Sequence, residues 1–191
     1  CIRDSVTILR LGKVPLFSRE RRLKDPLVIG GGPAAFNPEP LAEIMDLFLI
    51  GDGEEGFPEI VETYLKEAKS ARSRDEKISL LSEVEGTYAP RFYDPIATPE
   101  SPFIAVQGRK GFPKTIRKRI LHPYDNSFFP QDIIVPNISA VFDRVSIEVS
   151  RGCPERCRFC QASGIYFPLR IKDPRRVLST MEGSLVSTGY E

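Results

Sequence analysis

Pro26-Leu27-Val28-Ile29-Gly30-Gly31-Gly32-Pro33 and Asp46-Leu47-Phe48-Leu49-Ile50-Gly51-Asp52-Gly53 decide the fold class. Each is a short, unbroken apolar run that ends in glycine. Such runs mark strands covered on both faces, because alternation is lost when neither face meets water. Between them, Asn37-Pro38 has the form of a helix cap followed by proline at the first helical position. The helix predicted there runs through Leu41, Ile44 and Met45. A longer helix is predicted from about Pro58 to Lys69, with Ile60, Val61, Tyr64, Leu65 and Ala68 on one face. Strand, helix, strand, helix makes a parallel α/β unit with the usual right-handed crossover, about half of a doubly wound domain.

Two loops of this unit invite a dinucleotide reading. Gly51-x-Gly53-x-x-Gly56 fits GxGxxG between a strand and a helix. Asp52, Glu54 and Glu55 argue against it, since they put carboxylates where a pyrophosphate must meet the helix N-terminus. Those acids suit the helix dipole instead. Gly30-x-Gly32-x-x-Ala35 fits loosely, but Pro33 interrupts it.

Upstream, Ile2, Val6, Ile8 and Leu9 recur at helical spacing, with Gly12 as a stop, so residues 2–11 are read as a helix. The charged run Arg19-Glu20-Arg21-Arg22 is read as a solvated surface turn rather than an anion site. Downstream, residues 70–85 carry a short helix through Ile78, Leu80 and Leu81. From Gly86 to about Phe142, strand-like residues (Tyr88, Phe92, Tyr93, Phe103, Ile104, Val106) are broken by prolines, with a turn at Gly108-Arg109-Lys110-Gly111. Arg109, Lys110, Lys114, Arg117, Lys118 and Arg119 cluster there. The favoured reading is an exposed strand whose charges discourage edge pairing. A nucleic-acid or anionic-substrate patch is the alternative. His122 is read as a surface or turn residue.

Near the C-terminal end, the alternating run Val145-Ser146-Ile147-Glu148-Val149-Ser150 leads into Arg151-Gly152-Cys153-Pro154-Glu155-Arg156-Cys157-Arg158-Phe159-Cys160. Three thiols at CxxxCxxC on one loop after a strand suit an iron–sulfur cluster, whose usual ligands are cysteine thiolates. Three ligands on a four-iron cluster leave one iron open, as a reactive site requires. A structural zinc site is the competing reading, but a fourth ligand is hard to find: only Cys1 and His122 remain, both distant in sequence. Arg151, Arg156 and Arg158 beside the cysteines favour thiolate over thiol, or are simply solvated. Gly152 allows a tight turn. Asp173-Pro174 starts a helix whose buried face is marked by Val177, Leu178, Met181 and Leu185.

Cys153, Cys157 and Cys160, with Phe159 before the last, resemble the cluster motif of the radical S-adenosylmethionine (radical SAM) enzymes. The resemblance implies that the three cysteines hold a [4Fe–4S] cluster. It also implies that the open iron takes the amino and carboxylate groups of S-adenosylmethionine, and that the reduced cluster cleaves the sulfonium to a 5′-deoxyadenosyl radical. Phe159 would shield the cluster from water. Gln161 and Tyr166 are candidates to face the cofactor or to pack. Gly30-Gly31 and Gly51-Asp52-Gly53-Glu54-Glu55 resemble the C-terminal half of the cobalamin-binding-like domain that precedes many radical SAM barrels. An Asp-x-His-x-x-Gly motif for cobalamin is absent, which argues against that cofactor. Pro15 through Arg21, Gly31-Gly32-Pro33, Phe36 through Pro40, Cys160-Gln161-Ala162 and Ile165-Tyr166 resemble an Fe–S oxidoreductase-type subfamily of that group.

The fold expected is thus α/β in three parts. Residues 1–70 form a partial doubly wound, Rossmann-like unit resembling the cobalamin-binding-like domain. Residues 71–141 form a proline-rich linker with a short helix and a few strands. Residues 142–191 form the first β/α unit of a partial TIM-type barrel, whose sites lie at the carboxyl ends of strands. The chain has 191 residues and a net charge of +1, so bulk charge steers toward no partner. No apolar run approaches a membrane span, and the cysteines leave no disulfide framework, so the cytoplasm is expected. Missing a start methionine, and stopping just past a helix, the chain reads as an inactive fragment of a radical SAM enzyme of unspecified substrate. A reductant such as flavodoxin or ferredoxin is the implied partner. The alternatives are a non-catalytic iron–sulfur electron-transfer or sensing module, and an RNA-modifying, methylthiotransferase-like enzyme.

Overall fold

The structure, a computed structural model, describes residues 2–100, 105–130, 132–138, 141, 142, 144–155 and 157–190. It is mixed α/β, with five α-helices and small sheets among the described residues, in two compact units, Cys1–Ile120 and Leu121–Glu191.

In the first unit, helix α1 (Ile2–Leu11) precedes strand β1 (Ile29–Gly30), which pairs in parallel with β2 (Leu47–Leu49). The register sets Ile29 opposite Leu47 and Gly30 opposite Phe48. Strand β3 (Thr87–Tyr88) lies antiparallel on the other side of β2. Both faces of β2 are covered, which explains its unbroken apolar run. Leu47 and Leu49 meet Ile60, Ile78 and Leu81, from α2 (Gly53–Lys66) and α3 (Arg74–Leu81). Phe48 points the other way, into Ala35, Met45, Tyr88 and Tyr93. Strands β4 (Tyr93–Ile96) and β5 (Ala105–Gly108) form a separate antiparallel pair, with Tyr93 opposite Gly108.

The helix expected from the Asn37-Pro38 cap through Leu41, Ile44 and Met45 is instead a single 3₁₀ turn, Glu39–Leu41, preceded by another at Pro33–Phe36. Pro33, Pro38 and Pro40 each lack the N–H that an α-helical ladder needs, so only short turns close here. Helix α2 begins at Gly53, well before Pro58, which sits inside it. Glu54 and Glu55 occupy its first turn, where the dipole favours carboxylates. It ends at Lys66, and Ala68–Ser70 turns as a 3₁₀ segment. Ser73 caps α3 by accepting from the Glu76 N–H at 3.1 Å, while Glu76 reaches back to the Arg72 N–H at 2.7 Å. That is a capping box displaced by one residue. The Arg19–Arg22 run is not a solvated turn throughout: Arg21 is 4% exposed. Phe103 and Ile104 lie outside the described residues.

In the second unit, the strand expected over 145–150 is confined to β6 (Ser150–Arg151). Its partner is β7 (Arg170–Ile171), antiparallel, with α4 (Ala162–Ile165) between them. A strand needs a paired neighbour for its backbone groups, and among the described residues 145–149 has none beyond a Lys172 N–H to Val149 O bond of 3.0 Å. Helix α5 (Pro174–Thr188) starts as expected: Asp173 accepts from the Arg175 N–H at 2.7 Å and Pro174 leads the first turn. Its predicted buried face is partly open, with Leu178 54% and Met181 38% exposed. The two-stranded β6–β7 ladder is too small to cover a helix of that length.

Candidate metal centre

The three cysteines sit on one loop, residues 152–169, whose ends are joined by the β6–β7 pair: Ser150 faces Ile171 and Arg151 faces Arg170. The base of the loop is built on Tyr124, which is 5% exposed. The guanidinium groups of Arg151 and Arg170 lie 5.3 and 5.2 Å from its ring centroid, and the Lys172 ammonium 5.4 Å. Three cations around one aromatic ring need an anion nearby. Glu148 supplies it, accepting from Arg151 Nε at 2.9 Å and Nη2 at 2.8 Å. Arg151 holds the Glu148 carboxyl below the usual carboxylate range. Burial, then Glu148, pushes the Tyr124 hydroxyl up to about 12. Arg170 also donates to the carbonyls of Leu121 (3.2 Å) and Pro168 (3.3 Å), fixing the return arm.

Gly152 is required where the two arms meet. Its φ is +101°, and an added Cβ would lie 2.5 Å from Pro168 O and 2.7 Å from Tyr166 O. No L side chain fits that gap without moving backbone.

Beyond Gly152, Cys153 is half-buried and Cys157 and Cys160 are exposed, all as free thiols. The Cys160 N–H donates to Cys157 O at 3.0 Å, so the last two cysteines bracket a tight turn. Ser163 Oγ donates to Cys160 O at 3.4 Å at the start of α4. A cavity of about 320 Å³ opens beside Cys153, lined also by Pro154, Ser163, Gly164 and Phe167. Among the described residues, no three His, Cys, Asp or Glu side chains are gathered around a common metal position. The donor set nevertheless fits a cluster in kind: three free thiols on one anchored loop, with adjoining space. A closed zinc site would need a fourth donor, and among the described residues none is gathered with them.

The remaining expected residues are dispersed. Phe159 is 91% exposed. Arg158 and Gln161 are exposed, Tyr166 is half-buried, and Arg156 lies outside the described residues. Arg151 is committed to Glu148 and the Tyr124 ring. His122 is exposed in a bend, as expected. Tyr124, Glu148, Arg170 and Lys172 were not anticipated from sequence. The one local signal was the alternation of Arg170 and Lys172, two cations on one side of an extended segment.

The GxGxxG loop is occupied by the chain itself. Gly51 has φ +111°, and a Cβ there would lie 2.1 Å from Arg119 O. The Asp52 N–H donates to Arg119 O at 2.9 Å, and the Arg119 N–H donates to Ile50 O at 2.8 Å. The backbone at Arg119 thus packs directly against Gly51, the first glycine of the pattern. The Arg119 side chain reaches Glu59 at 2.9 Å and Glu55 and Glu85 at 3.5 Å. Arg109 is likewise paired, with Asp94 at 2.8 Å. Lys110, Lys114 and Arg117 stay exposed. No helix among the described residues is long and apolar enough to cross a membrane.

Residues 1–90 match the family model described as radical SAM proteins, N-terminal. No curated protein and no solved structure matches the chain. The matched region ends before the cysteine loop begins, so the two signals come from different residues and agree. Residues 1–90, a little under half of the chain, are thus similar to the N-terminal region of radical SAM proteins.

Proposed function

We propose that Cys153, Cys157 and Cys160 hold a [4Fe–4S] cluster and that the whole protein is an enzyme that reductively cleaves S-adenosylmethionine. The observation that carries this reading is the loop itself: three free thiols at CxxxCxxC between two paired strand ends. When bound, such a cluster supplies the electron that breaks the sulfonium bond, releasing methionine and a 5′-deoxyadenosyl radical. The chain's own contribution is positional. Arg151, Arg170 and Lys172 on Tyr124 hold the loop ends, Gly152 lets the arms close, and the cavity beside Cys153 leaves room next to one ligand. In this reading Phe159 shields the bound cluster from water and Tyr166 faces the cofactor. A flavodoxin- or ferredoxin-type protein is the reductant proposed, and the exposed Cys157–Cys160 turn is the surface it approaches.

A second reading, an electron-transfer or sensing module, is favoured by that same exposure. Product analysis separates the two. The anaerobically reconstituted, reduced protein is incubated with S-adenosylmethionine and the nucleosides are resolved by chromatography. 5′-Deoxyadenosine formation that disappears in Cys157→Ala supports the enzyme. An intact, reducible cluster with no nucleoside product supports the electron carrier.

A further inference from the structure

A cleft of about 500 Å³ opens within the Cys1–Ile120 unit, between the 23–29 segment, α2 and α3. That volume lies within the roughly 300–1,000 Å³ typical of small-molecule sites. One wall is a stripe of α2, in which Phe57, Ile60, Val61 and Tyr64 recur at i, i+3, i+4 and i+7. Leu27 and Ile29 face it. Phe57 and Val61 are 50% and 40% exposed, so the cleft offers water an apolar lining.

Lys77 lines the same cleft and is 7% exposed. Its ammonium donates to Leu23 O at 3.2 Å and lies 5.5 Å from the Tyr64 ring centroid. Among the described residues, no carboxylate stands within ion-pair distance of it. The other charged residues of the lining are Lys24 and Asp25, and the Asp25 carboxylate accepts from the Arg22 N–H at 2.6 Å. One turn earlier on α3, Arg74 shares the single carboxylate of Asp46 with Arg21, so the buried charge nearby is already net positive. An ammonium has three protons to give, and one carbonyl takes one. Holding such a cation out of water costs free energy that an incoming anion would offset.

We propose that this cleft binds a small amphipathic carboxylate, its acyl chain against Phe57, Val61 and Tyr64 and its carboxylate on Lys77. The occupant follows from two adjoining features, an apolar groove and a buried cation without a counter-charge. The proposal does not depend on the cluster.

The test is calorimetric titration of the full chain with decanoate and with decanol. Decanoate is expected to bind at one site at least about tenfold more tightly than decanol, the worth of one charge-assisted hydrogen bond. Lys77→Met is expected to remove that advantage and leave decanol binding unchanged. Val61→Trp, which fills the cleft, is expected to abolish both, with circular dichroism verifying that each variant is folded. Equal affinity for the two ligands, or an unaltered preference in Lys77→Met, overturns the proposal. So does sedimentation showing the cleft covered by a second copy, with no decanoate bound.

Discussion

Arg21 Nη1 lies 2.8 Å from Asp46 Oδ2, and both side chains are fully buried. The same carboxylate accepts from Arg74 Nη2 at 2.8 Å, the Val28 N–H at 2.8 Å and the Ser18 hydroxyl at 2.6 Å. Arg21 continues to the carbonyls of Pro15 and Leu16, and Arg74 to those of Arg22, Asp25 and Pro26. One carboxylate therefore ties residues 15–28 to the entry of β2 and the first turn of α3. Removing it strands two buried guanidinium groups. Asp46→Ala is expected to cost about 3–5 kcal/mol, the usual penalty for breaking one side of a buried pair. Equilibrium urea unfolding of the variant checks this, and a loss under 1 kcal/mol would mean that water replaces the carboxylate.

Gly51 and Gly152 carry a shared prediction with different readouts. Both have positive φ, and at both a Cβ would strike backbone, at Arg119 and at Pro168. Gly51→Ala is expected to lower the unfolding free energy by roughly 1–3 kcal/mol from backbone strain alone. Gly152→Ala is expected to leave most of that stability in place but to lower iron loading sharply, since it opens the cysteine loop at its neck. Iron analysis after reconstitution and a thermal melt distinguish the two effects.

Alkaline pH should unfold the first unit through its tyrosines. Burial raises the Tyr88 hydroxyl above its ordinary value, helped by the Glu39 carboxylate that accepts its proton at 2.5 Å, and burial raises Tyr93 too. A raised folded value means stability that is whole below the unfolded value of about 10 and falls as pH climbs through the folded one. Tyr88→Phe is expected to lessen that alkaline loss. Ultraviolet difference spectra of tyrosinate, recorded beside a denaturation series, report it, and identical pH slopes in variant and parent would refute the assignment.

Acid acts on the second unit with the opposite sign. Arg151 lowers the folded value of Glu148, so its contribution is present above the unfolded carboxyl value and is lost as pH falls through the folded one. Glu148→Gln is expected to flatten the acid limb of iron retention by the loop. An unchanged limb would point to direct protonation of the thiolates instead.

Much of this was legible in the chain, for reasons that differ by element. Helix α5 announced itself because Asp173-Pro174 acts locally, through one cap and one preset dihedral. Strand β2 was legible because both of its faces are covered. The start of α2 was misplaced because Pro58 mimics a first-turn proline, while the acids that set the true start lie just ahead of it. The segment from Pro38 to Met45 looked helical by its cap and apolar spacing, yet it closes only a 3₁₀ turn at Glu39–Leu41. Arg21 and Asp46 were illegible as a pair because 25 residues separate them and each alone looks like surface charge. The Tyr124 platform was hidden for the same reason. The cysteines were legible because ligand spacing within one loop is itself a local property.

The central claim is that Cys153, Cys157 and Cys160 hold a four-iron cluster with one iron open to S-adenosylmethionine. The full-length protein, reconstituted anaerobically with iron and sulfide and then reduced, is examined by electron paramagnetic resonance with and without S-adenosylmethionine. The account predicts a four-iron signal that shifts when S-adenosylmethionine is added and is lost in Cys153→Ala. A four-iron signal indifferent to S-adenosylmethionine, or tightly bound zinc with no iron signal, would contradict it.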